Sequence, residues 1–319
     1  MTNYLFRRLV DSALVLLIVC TAVFVLIRLA PGGPSILLSD ELSKEQIAEI
    51  RKSLGLDDPI HIQYVRWMKN VMQGNLGISF VSAQDVLLMI LERVPATAVL
   101  GFAALLFSVV LALPLGSASA LRQGGVIDFS ASFISFFGVS LPVFWFALMM
   151  ILLFSVYLGW LPSAGMYAVG KESGLLDRFL HLIMPTIVLG LSNAAEITRY
   201  ARSSMLEVLH QDYIRTARSK GLGESMVLYK HALKNTMVTN ISVIGLSMPR
   251  LIGGAAITEF IFAWPGMGRL AVTSALSRDY PVVMGITIVV SAGVIFTNLI
   301  VDLLYPIFDP RIRLTKKGV

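Results

Sequence analysis

Four histidines, His61, His181, His210 and His231, are scattered along the chain. No pair of them brackets a glutamate in the His-Glu-x-x-His pattern that puts two ligands on one helix face, so no metal site is expected. Cys20 is the sole cysteine and sits in an apolar run, which removes disulfides and thiolate clusters. Ser140 with His181 is the one conceivable nucleophile and base, and Ser203 has no base near it in sequence. A glycine loop of the form GxxxxGK followed by Ser or Thr does not occur, so this chain does not cradle nucleotide phosphates by that device. What remains is charge set in hydrocarbon. Arg250 stands in the middle of an apolar run, beside Pro249 and shortly before Gly253 and Gly254. A cation there costs about 2.5–3.5 kcal/mol on insertion scales and is expected to face a cavity or an acid. Two readings stay open: it lines a transport path and attracts a passing carboxylate, or it pairs with an acid on a neighbouring helix. Glu259 is placed on the same path. Glu196 and Arg199 can meet on one helix face, which suits a self-neutralised pair better than a proton relay. Asn298 and Asp302 share a helix face and are expected to hydrogen-bond in packing.

The elements that hold these groups follow from composition. Hydrophobic residues make up 56% of the chain, charged residues only 14%, and the mean hydropathy is +0.76. A soluble domain is about a quarter charged, so most of this chain belongs in lipid. The net charge of +6 is then crowded into a few aqueous loops, which sets orientation and gives no reason to expect nucleic acid. The first apolar run, 9–30, follows Arg7 and Arg8 but exceeds a signal peptide's core of roughly 7–15 residues and lacks a small-residue cleavage pattern. It reads as an uncleaved first span.

Taken in order, residues 1–30 carry span one, stopped by the Pro and Gly residues at 31–34. Residues 31–94 form a more polar lobe. Within it Ser43 and Gln46 make a capping box, and Ile60, Tyr64, Trp67, Met68 and Val71 recur at helical spacing after Pro59. That aromatic stripe is read as packing. Residues 95–308 hold five more spans: Pro95 opens span two to 121, a turn at 122–125 leads to span three at 128–157, kinked at Pro142, and span four covers 180–200. Spans five and six are placed at 236–262 and 281–306, and 309–319 is a basic tail. Six spans put both termini on one side. Arg7, Arg8, Arg122, the cations of 199–234 and those of 311–317 make that side cytoplasmic.

Between spans four and five, within 201–235, lies a polar, basic island. It reads as a helix ending at Lys220, a glycine turn at Gly221 and Gly223, and a second helix over 224–234. Met226, Leu228, Tyr229 and Leu233 alternate there with Lys230, His231 and Lys234, a face suited to docking on another protein. The run Tyr213, Arg215, Thr216, Ala217, Arg218, Lys220, Gly221, Leu222, with His231 and Leu233 beyond, resembles the ATPase-coupling signature of bacterial ABC importer permeases. Its Arg and Thr where Glu and Ala are usual, and its His and Lys where Ile and Pro are usual, are similar to the oligopeptide, dipeptide and nickel subgroup. The resemblance extends to Arg28 through Gly32, to Leu54 through Asp57, to Gly74 through Phe80, to Val301 through Tyr305 and to Asp309 through Arg313, nearly the whole chain. Thr258 through Leu270 resembles an outer-loop motif of peptide-type permeases, and Trp264, Pro265, Gly266 and Gly268 are placed at an outer gate or a binding-protein contact.

The resemblance implies an all-α polytopic membrane protein with the six-span type I ABC importer permease fold and a helical extracytoplasmic lobe. It implies the first-permease (B-type) subunit of a peptide importer in the bacterial inner membrane. Its partners would be a second homologous permease, one or two ABC ATPase subunits gripping 212–234, and an extracytoplasmic solute-binding protein. No cofactor is expected on this chain; ATP and Mg would sit on the ATPases. The substrate stays open among dipeptides, longer peptides, glutathione, nickel chelates and oligosaccharides. An ion-driven secondary transporter is the rival of a different class. It would need inverted repeats and several midplane charges, and the sequence offers one clear midplane charge.

Overall fold

The computed structural model describes residues 2–29, 33, 43–53, 55–168, 170 and 174–308. Their regular structure is helical, and among them the only strand-like pairing is an isolated bridge between Ile78 and Asp85. The chain divides into two compact units, Met1–Thr97 with Pro265–Ile295, and Ala98–Trp264 with Phe296–Val319.

The first unit opens with α1 (Thr2–Leu29), whose stretch Val10–Leu29 is long and apolar enough to span a membrane. In the lobe, α2 (Lys44–Ser53) starts at the expected reciprocal cap. The Ser43 amide donates to Gln46 Oε1 at 2.9 Å and the Gln46 amide to Ser43 Oγ at 3.2 Å. The aromatic stripe on α3 (Ile60–Met72) packs as its spacing predicts. Phe24 of α1 is buried against Tyr64 and Trp67, with ring centroids 5.3 and 5.4 Å away. Ile60 departs from that stripe and is exposed.

Helix α4 (Val86–Leu121) begins well before Pro95, contrary to the expected start of span two. Asp85 supplies the reason, accepting the Leu88 amide at 3.0 Å and so capping the helix ahead of an apolar run. The first turns of α4 place Val86 and Ile90 in a core with Met267 and Leu270 of α11 (Met267–Leu276) and Val282 and Ile286 of α12 (Tyr280–Phe308). Gly285 permits this contact, since a Cβ there would lie 2.6 Å from a Val86 methyl. Ser79 Oγ donates to Asp279 at 2.5 Å, and the Phe80 amide donates to the other oxygen at 3.1 Å. Helix α11 stands where the sequence reading has only a loop.

In the second unit, α7 (Leu175–Leu209) is the post against which the others pack. It starts five residues before the expected span, after Gly174. Pro185 lies inside it without ending it. Contact with α4 is backbone-close. A Cβ on Gly190 would lie 2.8 Å from Ala104 O, and one on Gly116 would lie 2.7 Å from Thr198 O. Small residues at such crossings let helices approach where no water drives them together. Span three is broken, not merely kinked. Helix α5 (Val126–Ser140) and α6 (Val143–Met150), which runs into a π-helical stretch at Ile151–Tyr157, meet at 107° across Leu141 and Pro142. Proline cannot donate to Gly138 O, and the Leu141 backbone goes extended, ending α5 there.

After α7 come α8 (Asp212–Ser219), α9 (Glu224–Met226), a π-helical stretch (Val227–Leu233) and α10 (Lys234–Ile261). The second helix of the basic island therefore continues without a break into span five. Four helices among the described residues are long and apolar enough to cross a membrane, five if the bent pair counts as one. The sixth expected span is α10. Its 28 residues suffice in length, at 1.5 Å each, but Asn240, Ser247 and Thr258 are polar groups turned inward, which lowers its apolarity. The basic tail and most of the stop at 31–34 lie outside the described residues.

Candidate functional site

Helix α8 is short and strongly two-faced. Ile214 and Ala217 point inward and join Val227, Ala232, Met205 of α7 and Ala120 of α4 in a buried cluster. The opposite face presents Tyr213, Arg215, Thr216, Arg218 and Lys220 to solvent. Ser219 ends the helix; Lys220 follows, and Gly221 takes φ +73° while its amide donates to Arg218 O at 3.0 Å. A Cβ on Gly221 would meet nothing within 4 Å, so glycine is needed here for its left-handed backbone and not for space. Arg218 clamps Glu224 across the turn with bonds of 2.6 and 3.2 Å. This pairing holds the Glu224 carboxyl below its ordinary value and raises the Arg218 guanidinium. Beyond the turn Met226 and Tyr229 are exposed, Tyr229 at 73%, while Leu222, His231 and Leu233 are half-buried. Of the residues singled out in sequence, Ala217 is buried in that cluster and Leu222 and Leu233 pack against it. The rest form or border a tyrosine- and methionine-bearing basic surface.

Beside this hairpin lies a polar ring that sequence reasoning missed. Arg202 of α7 donates to both oxygens of Asp128 at 2.7 and 2.9 Å. Ser119 of α4 donates to Asp128 at 2.5 Å, and the Gly124 amide donates at 2.9 Å. Three helices are thereby tied together within a turn of Met205 and Ala120. The available signal was an acid at a span's first turn, opposite a run of arginines.

Glu196 and Arg199 line a cavity of about 320 Å³ with Ser192, Asn193, Leu189 and Val139. Arg250 falls in α10, and its side chain lies outside the described residues, as does that of Asp302. Glu259 is 0% exposed and is engaged by its surroundings, so it borders no open path in this conformation. Trp264, placed from sequence at an outer gate or a binding-protein contact, is 1% exposed and packs inward. Its amide donates to Glu259 O at 2.8 Å, closing α10, while Ala263 takes φ +48°. Gly266 is buried, and Pro265 and Gly268 are half-buried. The Ser140–His181 pair is excluded. Gly138 packs on Leu191 and Ala195, and His181 lies ten residues from Leu191, about 15 Å along α7. There His181 is held by Asp177 O at 2.8 Å.

The family described as binding-protein-dependent transport system inner membrane component matches residues 112–314, and the N-terminal component of that system matches residues 1–101. The oligopeptide transport system permease protein AppB of Bacillus subtilis is 42% identical over 98% of this chain and 100% of its own length. The dipeptide transport system permease protein DppB of Escherichia coli is 39% identical over 91% of this chain and 92% of its own. The di/tripeptide permease DppB of Pseudomonas aeruginosa is 41% identical over the same shares. An inward-facing structure of the MetNI methionine ABC transporter superposes with a TM-score of 0.57 at 17% identity, over 70% of this chain and 97% of that one. That likeness fixes the type I importer permease fold. With the helical build, the apolar spans and these matches together, the chain belongs to the inner-membrane permease family of binding-protein-dependent transport systems.

Proposed function

We propose that this chain forms one half of the translocation pathway of an ATP-driven importer of di- and oligopeptides. A solute-binding protein delivers the peptide, a second permease completes the path, and ATPase subunits carrying ATP and Mg grip the 212–234 hairpin. Relatives at about two-fifths identity over nearly full length, named as oligopeptide and dipeptide permeases, support the substrate class. The N- and C-termini and the hairpin then lie in the cytoplasm, as the positive-inside rule requires.

The observation that carries the coupling role is the two-sidedness of the hairpin. Its underside is sealed onto α4 and α7 through Ile214, Ala217 and Val227, while its outer face leaves Tyr213, Met226 and Tyr229 uncovered among cations. A surface of that kind is suited to helix-in-groove docking. Motion of a docked ATPase would pass into α7 and α10 through the packed underside, which favours a two-state switch of the spans. The cavity lined by Glu196 and Arg199 carries both signs of charge, complementary to the two ends of a free peptide.

Reconstitution with the partner subunits in proteoliposomes tests this. Labelled dipeptide should accumulate only with ATP and binding protein. Ala217→Asp, which sets a charge in the sealed underside, should abolish uptake while the ATPase subunits still hydrolyse ATP. Uptake driven by an ion gradient without ATP, or full coupling in Ala217→Asp, would refute the reading.

A further inference from the structure

Among the described residues of the first unit, three buried polar atoms have no hydrogen-bond partner: Arg28 Nε, the Gln63 amide oxygen and the Tyr280 hydroxyl. All three side chains line one cavity of about 390 Å³, which Ile27, Asp58 and Pro59 help enclose. Gln63 and Tyr280 are each only 8% exposed. Unmet buried polar atoms are few in native folds, so three around one cavity mark the place of a missing partner. The amide of Gln63 cannot simply be turned over. Its nitrogen already donates to Leu56 O at 3.1 Å and Asp58 O at 2.7 Å, which leaves the oxygen as an acceptor facing the cavity. Its unpartnered groups are therefore two donors, at Arg28 and Tyr280, and one acceptor; Arg51 and Asp58 also line it, each already in an ion pair, with Asp57 and Arg66.

Its depth narrows the choice of occupant. Arg28 lies in the last turn of the span Val10–Leu29, and Tyr280 is the first residue of the span Tyr280–Val301. Both ends fall where hydrocarbon gives way to headgroups, the layer in which arginine and tyrosine collect. Next to Arg28 on α1, Val25 and Leu29 are exposed and apolar, a surface along which acyl chains can lie.

We propose that this cavity holds the headgroup of a phospholipid bearing a primary ammonium, of the phosphoethanolamine type. The phosphate accepts from Arg28 Nε and the Tyr280 hydroxyl, and the ammonium donates to Gln63 Oε1. A choline headgroup has no N–H for Gln63, and a free phosphate has neither ammonium nor acyl chains. The site joins α1, α3 and α12 through one lipid and does not depend on which solute is carried.

The test uses the assembled transporter in nanodiscs of equal phosphatidylethanolamine, phosphatidylcholine and phosphatidylglycerol, with native mass spectrometry reading the retained lipid. Phosphatidylethanolamine should be retained over phosphatidylcholine, and Arg28→Gln or Tyr280→Phe, which weaken the phosphate contacts, should each lower the amount of phosphatidylethanolamine retained by about ten-fold. Tyr280→Phe in lipid-free detergent should melt no lower than the parent, because the hydroxyl loses no bond there. Equal retention of the three lipids by the parent, or an amount of retained phosphatidylethanolamine untouched by both variants, would overturn the proposal. So would displacement of the lipid by millimolar inorganic phosphate, which would make the cavity a plain anion site.

Discussion

Asp128 and Gln63 are both nearly enclosed polar side chains close to the end of a membrane span, yet their surroundings differ. Around Asp128 the carboxylate accepts from Ser119, from the Gly124 amide and twice from Arg202, with no partner contributed from outside the chain. Around Gln63 the nitrogen is satisfied and the oxygen is not, and Arg28 and Tyr280 share that condition. A closed set of this kind ties helices together, because every member loses by moving. An open set keeps its desolvation cost until something from outside arrives. The first therefore acts as a strut beneath the coupling hairpin, and the second as a receptor. The hairpin itself is a third case, closed below and uncovered above.

Opening the closed ring should have the largest effect. Arg202→Met leaves Asp128 with its charge and without its bidentate partner, and it should lower the melting temperature of the assembled transporter by on the order of 5 °C. Pairing it with Asp128→Asn removes the stranded charge and should recover most of that loss. A thermal melt of the two variants beside the parent decides the point. A single variant as stable as the parent would mean that the ring is decoration. Next in size is Gly221→Val. The left-handed backbone at φ +73° costs a β-branched residue about 1–2 kcal/mol, with no clash to add because the site is open. ATP hydrolysis should persist while peptide uptake per ATP falls several-fold, since the variant disturbs the uncovered face and spares the strut.

The sequence made the hairpin legible because its cues are local. Glycine at a helix end, a run of cations and an alternating apolar face all sit within a short stretch. The capping box at Ser43 and Gln46 and the stripe of Tyr64 and Trp67 were legible for the same reason. The Asp128 ring was not, because its members come from three helices and Arg202 looks like any other basic loop residue. Pro95 misled as a helix start, since the real cap, Asp85, lies among polar lobe residues. Pro142 announced a kink but could not show that Leu141 would turn extended and split the span at 107°. Trp264, read as part of an outer gate or a binding-protein contact, packs inward beside Ala263, whose left-handed turn reverses the chain. The orphaned atoms of Arg28, Gln63 and Tyr280 had no sequence signal, for an unmet hydrogen bond is a property of the neighbours.

The smallest expected effect sharpens the third case. Arg218 and Glu224 bridge the Gly221 turn in the open, with much of each side chain in solvent. Exposed pairs contribute little and are screened by salt. The carboxyl of Glu224 is held below its ordinary value of 4.5 by Arg218, so its charged form is the one the folded hairpin favours. The contribution is then fully present above 4.5 and is lost as pH falls through the lowered value. Glu224→Gln should therefore loosen the turn slightly at neutral pH, more at low salt than at high, and should match the parent in acid. Hydrogen exchange of the amides of Lys220 through Met226, corrected for intrinsic rates, reads this directly. A difference between parent and variant that persists in acid would mean that Glu224 acts through packing or capping, and the hairpin's outer face would then belong with the closed regions of the molecule.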